Sequence, residues 1–237
     1  MNELRELLRP YSVDNDKLIR LGVKSDGGYI LNQKAIDNIE LCYTYGVGTD
    51  ISFEEDLLKL NPNVTVHLYD HTVNSPTLSK GMIYHKEGLA GFKQPNLDSF
   101  FNHLKINNDS LNKKILLKLD AEEAEYDLFK YYPISHFKTL SAIVLEIHNI
   151  KVYYRQFVDI ISNLQSYFTI THVHANNCGC MFQYKDFSCP EILEITLLNN
   201  NLIDKKTPLH RKYPIQGLDY PNAIRGSDFT IDFNFIE

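Results

Sequence analysis

The sequence predicts an α/β fold with a mostly parallel sheet, helices on both faces and one antiparallel strand late in the chain. Three observations predict it. Apolar runs of strand length alternate with stretches of helical periodicity from residue 41 to residue 167, the pattern of strands joined by crossover helices. The run KILLKLD at 114–120 is continuously apolar rather than alternating, as expected of a strand covered on both faces. Two late strand-like runs, FTITHVHANN at 168–177 and EILEITLLNN at 191–200, have no clear helix between them, so one of them reverses direction.

The elements follow in order. Residues 2–9 read as a short helix stopped by Pro10. In 18–31, two apolar arms flank Asp26-Gly27-Gly28, a turn signal that predicts a small hairpin ahead of the main sheet. LCYTYGVG at 41–48 is the first strand of that sheet and ends in glycines. Ser52 with Glu55 fits a capping box, and Leu57, Leu58 and Leu60 supply an apolar helix face that stops at Asn61-Pro62-Asn63. VTVHLYD at 64–70 and a run within 81–90 are the next strands, and 97–106 reads as a helix. After the strand at 114–120 a helix runs to about 131, before Pro133. A strand at 139–148 and a helix at 154–167 come next. Residues 181–190 read as a loop or hairpin turn, 205–227 as a long surface segment, and FTIDFNFIE at the end as strand-like alternation. The chain is read as one domain, 1–237, with an N-terminal cap to about residue 38 and a tail from about 203, both expected to shape an acceptor pocket.

Length and composition permit one large core. For 27.5 kDa, surface scaling gives about 11,000 Å² exposed when folded. The 15 Tyr and 13 Phe with no Trp serve either amphipathic packing or a stacking wall for a ring-bearing ligand. Net charge is −6. No Lys/Arg run makes a phosphate-tracking stripe, so a nucleic-acid partner is not expected. No stretch reaches the roughly 18 apolar residues of a membrane span. Cys42 sits in an apolar run and reads as core, while Cys178, Cys180 and Cys189 lie close together. The single residue between Cys178 and Cys180 is tighter than zinc-site spacing. With no secretory signal in MNELRELLRPYS, a reducing, cytoplasmic setting is expected.

Chemistry concentrates at predicted strand ends. Gly46 and Gly48 in YGVGTD let the backbone turn tightly and let a ligand approach without a Cβ in the way. The helix after them points free N–H groups back at the loop. Asp70 ends the next strand, 22 residues beyond Gly48, an interval at which an acid accepts hydrogen bonds from ribose hydroxyls. Ile51 stands where a dinucleotide fingerprint needs its third glycine, which counts against pyrophosphate but not against an adenosine ligand. Asp120 ends the fourth strand. Glu146 and His148 end the fifth, and His172 and His174 the sixth, followed by Asn176 and Asn177. A parallel sheet delivers such ends to one edge, where they serve as an acid–base pair or hold a divalent metal. Asp120, Glu146, His148 and His174 are the candidate catalytic set, with His148 or His174 the expected general base because imidazole titrates nearest neutral pH.

At this point the chain resembles the FkbM-like family of S-adenosylmethionine-dependent methyltransferases. The resemblance rests on RLGVKSDGGYIL, YTYGVGTDISFE, VHLYDHT, LLKLDAEEAEYDLF, IVLEIH and HVHANNC, which span residues 20–178. It implies a Rossmann-like methyltransferase fold whose seven-stranded sheet ends in a reversed hairpin. It implies S-adenosyl-L-methionine as cofactor, with the methionine portion near Gly46 and Gly48. Ribose contact falls at Asp70, and Asp120 lies where the methyl group meets the acceptor. Asp50 and His71 fall inside the matched stretches and join the expected cofactor set. Where the family often shows Asp-x-Glu-Gly-Ala-Glu, this chain places Glu123 in the glycine position. The resemblance implies O-methylation of a small polar acceptor: a sugar, a sugar nucleotide or a natural-product precursor, as in polysaccharide biosynthesis. The competing readings are an NAD-dependent oxidoreductase or sugar-nucleotide enzyme, and a non-catalytic nucleoside-binding protein.

Overall fold

A computed structural model describes residues 3–234; Met1, Asn2 and 235–237 lie outside it. Seven strands form the central sheet: β1 (Leu41–Tyr45), β2 (Thr65–Tyr69), β3 (Met82–His85), β4 (Ile115–Leu119), β5 (Ala142–Ile147), β6 (Phe168–Ala175) and β7 (Leu193–Asn199). Their spatial order is β3-β2-β1-β4-β5-β7-β6. Neighbours from β3 to β5 are parallel, while β7 runs antiparallel to both β5 and β6. The principal helices are α1 (Ser52–Leu60), α2 (Phe100–Ile106), α3 (Ala124–Tyr131) and α4 (Tyr154–Leu164). This is a mixed, mostly parallel sheet of Rossmann-like type.

The strands β1, β4 and β5 are buried at every position, and their alternate residues feed two apolar layers. One layer holds Tyr43, Tyr45, Leu117, Leu145 and Phe157, and the other Cys42, Phe53, Leu57, Leu116 and Val144. The accessible surface is 11110 Å². Burying a core of this size supplies the main stabilisation, at about 25 cal/mol per Å² of apolar surface. No helix among the described residues is long and apolar enough to cross a membrane.

Local chemistry departs from expectation at α1. Ile51 is its N-cap and makes no side-chain cap bond. The Ser52 hydroxyl instead accepts the Val23 N–H at 3.0 Å, tying the N-terminal hairpin to the helix, and Asp50 accepts the Ser52 N–H at 2.9 Å. The buried face of α1 is Phe53, Glu54 and Leu57, and Leu60 is 46% exposed. The predicted hairpin pairs Leu18–Leu21 with Tyr29–Asn32. Residues 181–190 form a second hairpin, Met181–Tyr184 with Phe187–Pro190. At the chain end, Ile231–Asp232 pairs with Lys212–Tyr213. The tail is not merely superficial, since Tyr213, Asp219 and Asn222 are buried.

The tyrosines find their use inside. Tyr69 stacks on His85 and on His103 at ring-centroid distances of 4.3 and 4.1 Å, and Tyr43 stacks on His67 at 4.7 Å. Burial holds these imidazoles neutral: His85 and His103 are pushed down to about 4 and His67 is also lowered. The unfolded chain therefore takes up protons before the folded one. The stability these rings contribute is intact above about pH 6.5 and is lost as pH falls towards about 4. Thermal denaturation of the parent and of His85→Gln, which cannot ionise, tests this. From pH 6.5 to 5 the variant loses less midpoint temperature than the parent; parallel curves contradict the assignment.

Candidate functional site

The strand order reverses between β1 and β4, and ligands of open α/β sheets bind beyond the carboxyl ends of strands at such a point. Gly46 follows β1 here with φ +74°, and a Cβ on it would lie 1.5 Å from the Asp120 carbonyl oxygen. The residue after β1 and the residue after β4 thus touch backbone to backbone. Gly48, at φ +58°, has open space where a Cβ would go. Both glycines line a cavity of about 490 Å³ and a smaller adjoining one of about 210 Å³.

Asp70, just past β2, faces the larger cavity. Its Oδ2 accepts the Gly48 N–H at 2.8 Å, while Oδ1 accepts the Thr72 N–H, the Thr72 hydroxyl and the Val73 N–H. Burial alone would raise its pKa, but the Thr72 and Gly48 donors hold it below the ordinary carboxylate value. Oδ2 keeps capacity for one further donor. His71 also lines the cavity, its Nδ1 2.5 Å from where a Cβ on Gly88 would be, so glycine at 88 makes room for the ring. Asp50 lies on the smaller cavity with Asp26 and Lys118.

The same cavity is lined by Asp120, Glu122, Glu146 and His148. Leu145 pairs with Leu119 across β5 and β4, so Glu146 and Asp120, the next residues, are neighbours. The Tyr29 hydroxyl, from the hairpin, lies 2.6 Å from Asp120 Oδ2 and 2.8 Å from Glu146 Oε2. Asn176 donates to Glu146 Oε1 at 2.8 Å. Burial, and then the charge of Asp120, push Glu146 up to about 7. Lys118 lies beneath, 3.8 Å from Asp120 and 4.7 Å from the Tyr29 ring centroid. Burial works against a charge on His148, yet Glu125 and Glu146 outweigh it and raise the imidazole to about 11. These carboxylates thus favour the protonated ring wherever no other cation neutralises them.

His174 is placed elsewhere. It pairs with Glu194 on β7, and Glu194 pairs with Glu146 on β5. Three strand spacings, roughly 14 Å in all, separate it from Asp120, and it is not among the residues lining the cavity. Its ring nitrogens lie 3.1 Å from Glu194 and 3.1 Å from Asp228. Burial opposes its charge, but Glu194 and then Asp228 raise it to about 10. His172 is likewise occupied, 3.1 Å from Asp219.

Sequence reasoning gives Tyr29 and Asp26 no place at the site, and Glu122 and Glu125 enter it only as acids of the motif that follows the fourth strand. Asp26 read as part of a turn, although its hairpin sits among the stretches that carry the family resemblance. Asp26 lines both cavities and accepts from Asn222 at 3.0 Å, which is how the tail reaches the site. Glu123 holds φ +80° at the start of α3, a conformation glycine adopts freely. Its carboxylate is held there by Asn149 and by the Tyr153 hydroxyl, so the loop keeps a glycine-like shape without glycine. Cys178 and Cys180 are exposed, Cys42 and Cys189 are buried, and all are free thiols.

No family model matches the chain, and no curated protein matches it. Among solved structures, the crystal structure of a fibrillarin/Nop5p complex is similar over 68% of this chain and 73% of that one, at 8% identity and a TM-score of 0.40. A likeness that distant carries no argument about function, so the reading of this site rests on its own geometry.

Proposed function

We propose that the protein transfers a methyl group from S-adenosyl-L-methionine to a hydroxyl oxygen of a small, uncharged polar acceptor. The observation that carries this is the charge of the cavity. Asp26, Asp70, Asp120, Glu122 and Glu146 line it, and among the described residues no Lys or Arg does, so His148 is the one side chain there that a proton makes cationic beside His71. A pyrophosphate-bearing cofactor such as NAD is repelled by such a wall, whereas a sulfonium is attracted. The same field disfavours an acceptor that brings its own diphosphate into the cavity, and favours a sugar or natural-product hydroxyl.

In this reading Asp70 Oδ2 accepts a ribose hydroxyl, and Asp26 and Asp50 face the cofactor's methionine ammonium. Asp120 sits where methyl and acceptor meet. The protein aligns acceptor oxygen, methyl carbon and sulfur, and alignment itself supplies much of the rate. The oxygen lone pair forms the new C–O bond, the C–S pair leaves with sulfur, and the acceptor proton passes to a cavity carboxylate or to water. Calorimetry with S-adenosylhomocysteine and NAD side by side is the test. S-adenosylhomocysteine binds and NAD does not; micromolar NAD with no S-adenosylhomocysteine binding refutes the proposal. Asp70→Ala weakens S-adenosylhomocysteine binding by about 1–3 kcal/mol, the range for hydrogen bonds to a charged group.

A further inference from the structure

The floor of the cavity combines three ligand types in one place. A carboxylate oxygen of Asp120, one of Glu146 and a ring nitrogen of His148 lie within 4.8 Å of one another. Two carboxylates and an imidazole form a donor set for a first-row divalent cation, and the imidazole favours such ions over Mg²⁺ or Ca²⁺.

The groups around this trio point the same way. His148 is only 6% exposed and lines the cavity. Its Nε2 lies 3.4 Å from Glu146 Oε1 and 3.8 Å from Glu122. Its Nδ1 has no hydrogen-bond partner among the described residues and lies 3.6 Å from Glu125, which is fully buried. Glu125 is itself fixed by the Ala121 N–H at 2.6 Å. A buried carboxylate behind one nitrogen of a histidine, with the other nitrogen beside further carboxylates on a cavity wall, is the usual support of a metal-ligating imidazole. The hydrogen count adds to this. Tyr29 has one hydroxyl hydrogen, yet its oxygen is within hydrogen-bond distance of carboxylates on both Asp120 and Glu146. That hydrogen can serve only one of the two at a time, and the wider group is acidic: among the described residues the four carboxylates of Asp120, Glu122, Glu125 and Glu146 face two cationic side chains, Lys118 and His148.

We propose that Asp120, Glu146 and His148 hold one divalent cation of the Mn²⁺ class, which takes the place of the proton on His148 Nε2, with Glu125 facing the remaining Nδ1–H and orienting the imidazole, and the other coordination positions open to the cavity. Its role rests on the methyl-transfer reading: the acceptor hydroxyl binds the cation, its pKa falls, and its proton leaves to water before the oxygen attacks the methyl carbon. Occupancy of the site does not depend on that reading.

The test uses the full chain after exhaustive chelation, titrated with Mn²⁺ and read by electron paramagnetic resonance of free ion and by calorimetry. One Mn²⁺ binds per chain. Glu146→Gln and His148→Ala each weaken it at least about tenfold, and Glu125→Gln, one step removed, by about 10–100-fold, with circular dichroism confirming that each variant is folded. Absence of stoichiometric binding up to millimolar Mn²⁺, or affinity unchanged in both folded variants at 146 and 148, overturns the site. S-adenosylhomocysteine titrated into the same preparation separates the two proposals. Cofactor binding without Mn²⁺ binding sinks only the metal site, and Mn²⁺ binding without cofactor binding sinks only the methyl-transfer reading.

Discussion

Gly46→Ala removes the folded state or destabilises it by more than about 4 kcal/mol, a loss seen only when a specific structural feature is broken, whereas Gly48→Ala costs about 1 kcal/mol. The two glycines are two residues apart and both have positive φ, but they do different things. A Cβ at 46 meets the Asp120 carbonyl oxygen at 1.5 Å and its carbon at 2.6 Å, both backbone atoms that cannot swing aside. Relief requires β1 and β4 to separate at their ends, which breaks the Asp120 N–H bond to the Tyr45 carbonyl at 3.2 Å and moves Asp120 itself. At 48 the Cβ enters open space, so only the left-handed conformation is strained, and the Gly48 N–H still reaches Asp70. Urea denaturation of both variants decides it. A soluble Gly46→Ala protein within about 1 kcal/mol of the parent means the sheet ends are more pliable than this close backbone approach implies. A folded Gly48→Ala protein that binds S-adenosylhomocysteine as the parent does places the cofactor away from this loop.

His174→Ala destabilises the fold by about 3–5 kcal/mol, the range for removing one partner of a buried ion pair. His174 is clasped between Glu194 and Asp228, and Glu194 also accepts from Asn222 at 2.7 Å. Taking the imidazolium away leaves the Glu194 carboxylate buried without its cation. The pH dependence carries the signature. The folded pKa of about 10 lies above the unfolded value near 6.5. The ring's contribution is therefore complete below about pH 6.5 and is lost as pH rises towards 10. Between pH 7 and 9.5 the parent loses stability that His174→Ala has already lost, so the two curves converge. Because the ring stands apart from the cavity, the folded fraction of the variant keeps its affinity for S-adenosylhomocysteine. Equal stability of the two proteins at pH 7 contradicts the clasp, and selective loss of cofactor binding in a fully stable variant would put His174 back into the site.

The residue types carried the fold a long way. Continuous apolar runs such as KILLKLD can be satisfied only between two covering layers, and β4 is buried along its whole length. Hydrophobic periodicity is a local property, so strands and helices were legible one by one. Capping was not: Ser52 has the composition of a cap, but its hydroxyl is taken by Val23, a residue 29 positions away. The aromatic count announced packing or stacking without saying which. The structure shows Tyr43, Tyr45 and Tyr69 packed with buried histidines, and only Tyr69 reaches the cavity wall.

The sequence by itself determined that Asp70, Asp120, Glu146, His148 and His174 stand at or just past strand ends, because strand ends follow from where apolar runs stop. It could not determine which ends are neighbours, because lateral order in a sheet is set by long-range pairing. Placing β7 between β5 and β6 moved His174 three strand spacings from Asp120 and gave it Glu194 and Asp228 instead. Folding the hairpin over β4 and β5 brought Tyr29 onto Asp120 and Glu146 from more than 90 residues away. Protonation was decided at the same level. An isolated imidazole titrates near neutral pH whatever its sequence neighbours. Carboxylates from β5 and α3 raise His148, while burial among tyrosines lowers His85 and His103. Charge in a folded chain depends on distances through space, and those exist only once the sheet has closed.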